Sequence, residues 1–299
     1  MLIQRRAAGA HQGGLWEFPG GKREPGESLA DALTREVDEE LGVRVLAHQP
    51  LIRLRHDYGD RKVLLDVHRV TRHAGEPRAR EGQPWRWVFP TELPAWPMPA
   101  ADRPIIDALR LPPYYAITPS TLTRPAAVAA WLENQLAAGR RLLQLRLPAF
   151  TPSALRACVP GLAACAHASG AWLLMNSADS DWLALGIDGL HLPARALATP
   201  PERLGWPSGA SCHDAGELAR AAQAGVTFAL LSPVCATSSH PEARPLGWQA
   251  FARLVDNVDR PVYALGGLGA EDLARARAAG AQGIAGIRQF LEERGEKHQ

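Results

Sequence analysis

The chain is poor in lysine: Lys22, Lys62 and Lys297 are the only three, and the rest of its 33 basic residues are arginine. Alongside abundant alanine, that reads as a bias of the coding sequence before it reads as function. An excess of either charge is also lacking. The 31 acidic residues leave a net charge of +2, too small for the basic field that attracts nucleic acid or an anionic membrane. No apolar run approaches the roughly 18 residues of a membrane span, and the opening Met1-Leu-Ile-Gln-Arg-Arg is no secretory signal. Cysteine is scarce. Cys158, Cys165, Cys212 and Cys235 show neither C-x-x-C spacing nor the density of a disulfide scaffold, so reduced thiols and a cytoplasmic location are expected.

What is present suits two globular domains. A length of 299 residues, at roughly 100–200 per domain, points to about two. Hydrophobic residues at 46% and charged residues at 21% exclude disorder and supply two cores.

The two halves differ in grammar. Residues 1–111 carry strand-like runs at Leu2–Arg5, Val43–His48, Leu51–Arg55, Lys62–Val70 and Trp85–Phe89, with turns at Gly59-Asp60 and Gly75-Glu-Pro77. From Pro112-Pro113 onward, short apolar strands alternate with alanine-rich helical stretches. The strands are Tyr115–Thr118, Leu142–Arg146, Trp172–Asn176, Gly189–Leu192, Gly209–Ser211, Phe228–Ser232, Val262–Leu265 and Gly283–Ala285. Eight β units, most followed by a helix, predict a compact parallel (β/α)8 barrel over 112–299.

The most informative stretch runs from Gly21 to Val43. Ser28 is a candidate N-cap with Asp31 three residues on, and Gly42 a candidate helix stop. Between them Leu29, Leu33, Val37 and Leu41 predict a buried stripe, with Glu36, Glu39 and Glu40 in an arc of roughly 100° beside it. Three carboxylates so close repel unless a cation joins them, and hard oxygen ligands suit Mg²⁺ or Mn²⁺ with phosphate oxygens. Acids at a helix C-terminus also oppose the macrodipole, a local cost that points to another use.

Gly21, Glu27, Arg35, Glu36, Val37, Glu39, Glu40, Gly42 and Val43 occupy all nine specified positions of the Nudix box. Gln4-Arg5-Arg6-Ala-Ala8, His11, Leu15-Trp-Glu-Phe18-Pro-Gly-Gly-Lys22, Glu81-Gly-Gln-Pro84 and Asp102-Arg-Pro-Ile-Ile106 extend the likeness. Residues 1–111 thus resemble the MutT-type 8-oxo-dGTP diphosphatases. That resemblance implies an α/β/α sandwich with a mixed sheet, and attack of a metal-activated water on a nucleoside triphosphate, giving monophosphate and pyrophosphate. It also implies metal ligands at Gly21, Glu36, Glu39, Glu40 and Glu81, with Glu36 or Glu81 as base and Arg35 orienting the glutamates. Arg6, Phe18, Lys22 and Asp102 would bind the nucleotide. Two departures stand out. The family usually has asparagine where Asp102 stands; an ionised aspartate only accepts, so it takes base N–H groups but donates to no carbonyl. The family also has a strand before Leu-Ile-Gln-Arg-Arg, and here Met1 falls at that segment. Either the start site lies upstream or the sheet lacks its first strand.

Tyr115-Ala-Ile-Thr, Gln144-Leu-Arg146, Asn176, Asp188-Gly-Leu-His-Leu, Ser211-Cys-His213, Ser232-Pro-Val-Cys-Ala-Thr237, Leu246-Gly-Trp, Ala264-Leu-Gly-Gly267 and Gly283-Ile-Ala-Gly-Ile come one to nearly every strand end. In that order they resemble the thiamine phosphate synthases and their thiazole tautomerase relatives. The implied ligand site is Gln144, Arg146, Asn176, Ser211, Thr237 and Ser239, with phosphate at Gly266, Gly267, Ala285 and Gly286. The catalytic set is altered: Pro148 and His240 stand for lysines, Ser177 and Ala196 for aspartates. Losing two carboxylates and two cations predicts no efficient Mg²⁺-dependent synthase. His213 would be either a tautomerase-like acid/base or a locally bonded side chain. The expected protein is α/β throughout: a nucleotide hydrolase joined to a barrel that binds a thiamine-related phosphate. Two alternatives are a bifunctional thiamine-pathway enzyme acting on thiamine-type pyrophosphates, and a hydrolase regulated by a ligand-sensing barrel.

Overall fold

The glutamate-rich segment is capped at its start by a serine side chain and at its end by a glycine backbone. In the computed structural model, which describes residues 1–9, 11–57, 59, 62–237 and 242–287 (Asp57 by its backbone alone), it forms helix α1, Leu29–Leu41. Ser28 is extended; its Oγ accepts the Asp31 N–H at 3.2 Å and donates to Asp31 Oδ2 at 2.6 Å. Gly42 ends the helix at φ 66°, a left-handed position that disfavours a Cβ, and its N–H bonds Asp38 O at 2.8 Å. Val37, Leu41 and Val43 are buried together, with Leu2, Leu33 and Val45 packed against them. Leu29 departs from the expected stripe at 42% exposure. It faces an open cavity rather than the packed cluster.

The chain divides into two compact units, Met1–Arg110 and Leu111–Gln299. In the first, β1 (Leu2–Arg5) pairs antiparallel with both β2 (Trp16–Glu17) and β5 (Trp85–Trp87). Strands β3 (Arg44–Asp57) and β4 (Lys62–Ala74) form a long antiparallel pair. The two runs expected at 43–48 and 51–55 are thus one strand. Pro50 interrupts its register, with a shift between Pro50 and Ile52, and the strand absorbs the proline as an irregularity rather than ending there. Among the described residues of this unit no parallel pair occurs and no strand joins the two sheets, so the expected mixed sheet is two antiparallel ones. Helix α2 (Arg103–Arg110) ties them together. Its Ile106 packs with Ile3, Val88 and Leu93, while Ile105 and Ala108 pack with Ile52 and Leu54.

In the second unit eight parallel strands close into a barrel: β6 (Tyr114–Ile117), β7 (Leu142–Leu145), β8 (Trp172–Asn176), β9 (Gly189–Leu192), β10 (Gly209–Cys212), β11 (Phe228–Leu231), β12 (Val262–Ala264) and β13 (Gly283–Gly286). Helices α3 (Pro125–Ala137), α4 (Pro152–Ala168), α5 (Ala215–Gln223), α6 (Gly247–Val255) and α7 (Leu273–Ala278) lie between strands. Short 3-10 turns, Ser180–Leu185 and Ala194–Ala198, replace helices around β9, which keeps the barrel small. Strand residues alternate. Tyr115, Ile117, Leu142, Leu174, Phe228, Leu230 and Tyr263 fill the lumen, whereas their neighbours Ala116, Leu143, Leu173, Ala229 and Val262 face the helix layer. Tyr115, Phe228 and Tyr263 meet with ring centroids 5.1–5.8 Å apart.

Candidate functional site

At the C-terminal end of α1 one guanidinium organises the acids. Arg35 Nε and Nη2 donate to the two oxygens of Glu27 at 2.9 and 3.0 Å, and Nη1 to Glu36 at 2.9 Å and Glu39 at 3.1 Å. Nη2 also holds the Lys22 carbonyl at 3.0 Å, fixing the loop before the helix. Gly21 is confined by packing: a Cβ there would fall on the Glu36 carboxylate. Glu40 accepts the Gly20 N–H at 3.0 Å. Burial first, then the charges of Glu17 and Glu81, push the Glu40 carboxyl up to about 7. With Glu36 and Glu39 drawn to Arg35 and Glu40 to Gly20, no three metal-ligating side chains converge among the described residues. The donor chemistry still fits a hard dication: carboxylate oxygens, a backbone carbonyl at a glycine packed directly against the Glu36 carboxylate, and an excess of negative charge.

Beside this helix end lies a cavity of about 530 Å³. Of the residues expected from sequence, Arg6, Phe18, Gly21, Glu36 and Asp102 line it; Lys22, Arg35, Glu39, Glu40 and Glu81 do not. Arg6 forms an ion pair with Glu17 and donates from Nε to the His11 carbonyl at 2.8 Å. Asp102 is 8% exposed, and its Oδ2 is buried without a hydrogen-bond partner. Burial, then the charge of Glu17, raises its carboxyl to about 7 against the opposing pull of Arg6. Sequence reasoning did not single out Glu17, nor Asp66 and His68, which line the same cavity. His68 bonds Asp66 at 2.9 Å and His48 at 3.0 Å. Asp66 and His68 alternating with Leu65 and Val67 along β4 were the available signal.

In the barrel, the expected ligand residues gather at the strands' C-terminal ends. Gln144 ends inside the lumen at 1% exposure, its Nε2 buried and unpaired. Thr118 Oγ1 accepts the Arg146 N–H at 2.7 Å and donates to the Arg146 carbonyl at 3.1 Å, pinning the start of that loop. Ser211 Oγ lies 3.0 Å from His191 Nε2, and His191 Nδ1 lies 3.0 Å from the Tyr115 hydroxyl. Burial, then the charge of Arg146, pushes the His191 imidazole down to about 3, so it is neutral. An inward-facing histidine between Leu190 and Leu192 was a legible sign of such a network. Gly266 (φ 109°) and Gly267 (φ 62°) are required for close approach to the 233–236 backbone; a Cβ at Gly266 would sit 2.8 Å from the Pro233 Cβ. Asn176 and Thr237 are half-buried, Ala285 and Gly286 are buried in β13, and Ser239 and His240 lie outside the described residues.

The acids at this end are occupied by structure. Asp179 caps the 3-10 turn and meets Arg156 at 3.3 Å; Asp214 caps α5. Glu217 accepts the His213 N–H at 2.7 Å and faces its Nδ1 at 2.8 Å. Pro148, Ser177 and Ala196 add no carboxylate or cation. Among the described residues the donor set therefore does not fit a metal–pyrophosphate site.

Comparison with known proteins agrees with this division. A family profile described as thiamine monophosphate synthase matches residues 114–290, and one described as NUDIX domain matches residues 1–108. The putative thiamine-phosphate synthase 2 of Aquifex aeolicus is 35% identical over 187 residues, 62% of this chain and 100% of its own length. The 8-oxo-dGTP diphosphatase of Escherichia coli is 39% identical over 110 residues, 37% of this chain and 85% of its own. The CTP pyrophosphohydrolase of Escherichia coli is 36% identical over 108 residues, 36% and 80% of the respective lengths. No helix among the described residues is long and apolar enough to cross a membrane. The chain thus belongs to the Nudix family through its first unit and to the thiamine monophosphate synthase family through its second.

Proposed function

We propose that residues 1–111 form a Mg²⁺-dependent pyrophosphohydrolase that converts 8-oxo-dGTP and water to the monophosphate and pyrophosphate, with Mn²⁺ able to replace Mg²⁺. The observation that carries this reading is the acidic end of α1, organised by Arg35, beside a cavity lined by Arg6, Phe18 and Asp102. Glu36, Glu39, Glu40, Glu81 and the Gly21 carbonyl would hold the metal. When bound, the cation lowers the pKa of the attacking water and offsets phosphate charge. Glu36 or Glu81 takes the water's proton, and Arg35 holds Glu36 and Glu39 in place. Phe18 and Asp102 meet the base.

Residues 112–299 are read as a barrel that binds a thiamine-related phosphate without synthase turnover, because its mouth carboxylates are committed to caps and ion pairs. The four cysteines are unpaired, which suits a reducing cytoplasm.

Pyrophosphate release by the full chain with Mg²⁺ tests the hydrolase, with 8-oxo-dGTP, dGTP and thiamine pyrophosphate at equal concentration. A preference for 8-oxo-dGTP supports nucleotide-pool cleansing; a preference for thiamine pyrophosphate overturns it in favour of a thiamine-pathway enzyme. Glu40→Gln abolishes turnover while leaving the fold intact, and retained activity removes Glu40 from the ligand set.

A further inference from the structure

Strands β3 and β4 carry a cluster of side chains that the hydrolase reading leaves unused. Their ladder pairs His48 with Val70 and Pro50 with His68, which sets the two histidines on one face as diagonal neighbours. The register shifts between Ala47 and His48 and again between Pro50 and Ile52. Irregularities of this kind re-aim side chains and gather near functional sites. Here they flank a pair of rings whose Nδ1 atoms lie 3.0 Å apart, the ring planes at 72°. On the other side of the His68 ring, Nε2 faces Asp66 Oδ1 at 2.9 Å, while Asp66 Oδ2 lies 3.5 Å from Arg53 Nε. Only 11% of the His68 side chain is exposed.

We propose that His48 and His68 form a site for an imidazole-binding transition dication such as Zn²⁺, with Asp66 positioning His68 from the far side of its ring. The proton positions follow from the partners. A carboxylate accepts, so the His68 proton sits on Nε2 and its Nδ1 keeps a lone pair. His48 Nδ1 donates to that lone pair; moving its proton to Nε2 frees a second lone pair beside the first. With metal–nitrogen bonds of about 2.0–2.1 Å, the nitrogen–nitrogen edge is about 3.3–3.4 Å in a tetrahedron and about 2.9 Å in a cis square. The observed 3.0 Å falls between the two. A carboxylate on the second ring nitrogen is the arrangement that fixes the tautomer and orientation of a metal-binding histidine. Among the described residues no third ligating side chain converges on the pair, so water completes the shell. The donor set separates this site from the end of α1: nitrogen suits Zn²⁺, whereas carboxylate oxygen suits Mg²⁺. A bound ion would tie β3 to β4 across the irregular stretch and place its charge beside the cavity that His68 and Asp66 line. The site rests on the hairpin alone and stands whether or not that cavity takes a nucleotide.

The decisive measurement has two arms, both on the full chain with Mg²⁺ in excess to occupy the α1 acids. In the first, ¹⁵N-imidazole NMR follows the histidine ring nitrogens as Zn²⁺ is added. Nδ1 of His48 and Nδ1 of His68 shift together and saturate at one equivalent, while His68 Nε2 keeps its proton. Zn²⁺ taken up by other histidines or by the cysteines while this pair stays unmoved overturns the proposal. So do the same shifts produced by Mg²⁺ alone. In the second arm, calorimetric titration with Zn²⁺ compares the wild type with three variants. His48→Gln and His68→Gln each lose the one-equivalent binding step, and equal binding in the wild type and both variants overturns the site. Asp66→Asn keeps both ligands and weakens binding by about tenfold to 100-fold; unaltered affinity there refutes the positioning role of Asp66. Should a glutamine variant fail to fold, the wild-type ring shifts decide alone.

Discussion

Acidification should destabilise the barrel through His191 before the barrel's ordinary carboxylates take part. The imidazole is wholly buried and neutral, with its pKa near 3 in the folded chain and about 6.5 when unfolded. A depressed histidine pKa means the unfolded chain binds the proton first. Its contribution is therefore full above about pH 6.5 and drains away as pH falls toward 3. Integrated between those limits, the loss is about 2 kcal/mol at pH 5 and about 3 kcal/mol at pH 4. The window from pH 7 to 5 is the clean one, because ordinary carboxylates titrate at about 4. Peptide-resolved amide hydrogen exchange over β9, corrected for the intrinsic pH dependence of exchange, reads the barrel alone. His191→Gln keeps two hydrogen-bonding atoms but has no proton to take up, so its stability should be flat across that window. If wild type and His191→Gln lose stability in parallel between pH 7 and 5, the burial argument is wrong. So is it if the His191 ring titrates near 6.5 by NMR.

Two substitutions test close packing on either side of the domain boundary. Gly21→Ala drives a methyl into the Glu36 carboxylate, displacing it from Arg35. Misplacement of about 1 Å costs about 100-fold in turnover, equivalent to about 2.7 kcal/mol, with an unaltered thermal melt; wild-type pyrophosphate release would show that Glu36 placement is unimportant. Gly209→Ala puts a Cβ 2.6 Å from the Phe228 ring and 2.7 Å from His191 Nδ1. Overpacking of that kind costs about 1–3 kcal/mol, measurable as a lower urea midpoint, and an unchanged midpoint would mean the lumen has slack.

Much of the architecture was legible because its causes are local. The caps at Ser28 and Gly42 follow from side-chain and backbone chemistry within one turn, and both form as read. The barrel strands are short apolar runs because both their faces are buried, and their spacing carries the closed order. What failed depends on partners far along the chain. Leu29 lies on the apolar side of α1, yet a cavity rather than a sheet stands opposite it. Pro50 looks like a strand break, but a long antiparallel partner carries the pairing across it. The carboxylates of α1 were identifiable by type and spacing, whereas the pairing of Arg35 with both oxygens of Glu27, eight residues away, depended on how the loop before the helix folds. The Tyr115–His191–Ser211 network joins residues 76 and 20 positions apart, a proximity that exists only once β6, β9 and β10 close one ring.

That closure has an uneven consequence for the two units. A ring of eight strands exposes no ladder edge to solvent. The first unit's sheets do end in outer strands, β2 and β5, and Trp87 on β5 is 58% exposed with Phe89 just beyond it at 72%. Unpaired backbone groups beside bare aromatic rings form a template for intermolecular pairing. Self-association under heat or concentration should therefore begin on the hydrolase side, with the barrel carried passively into the aggregate.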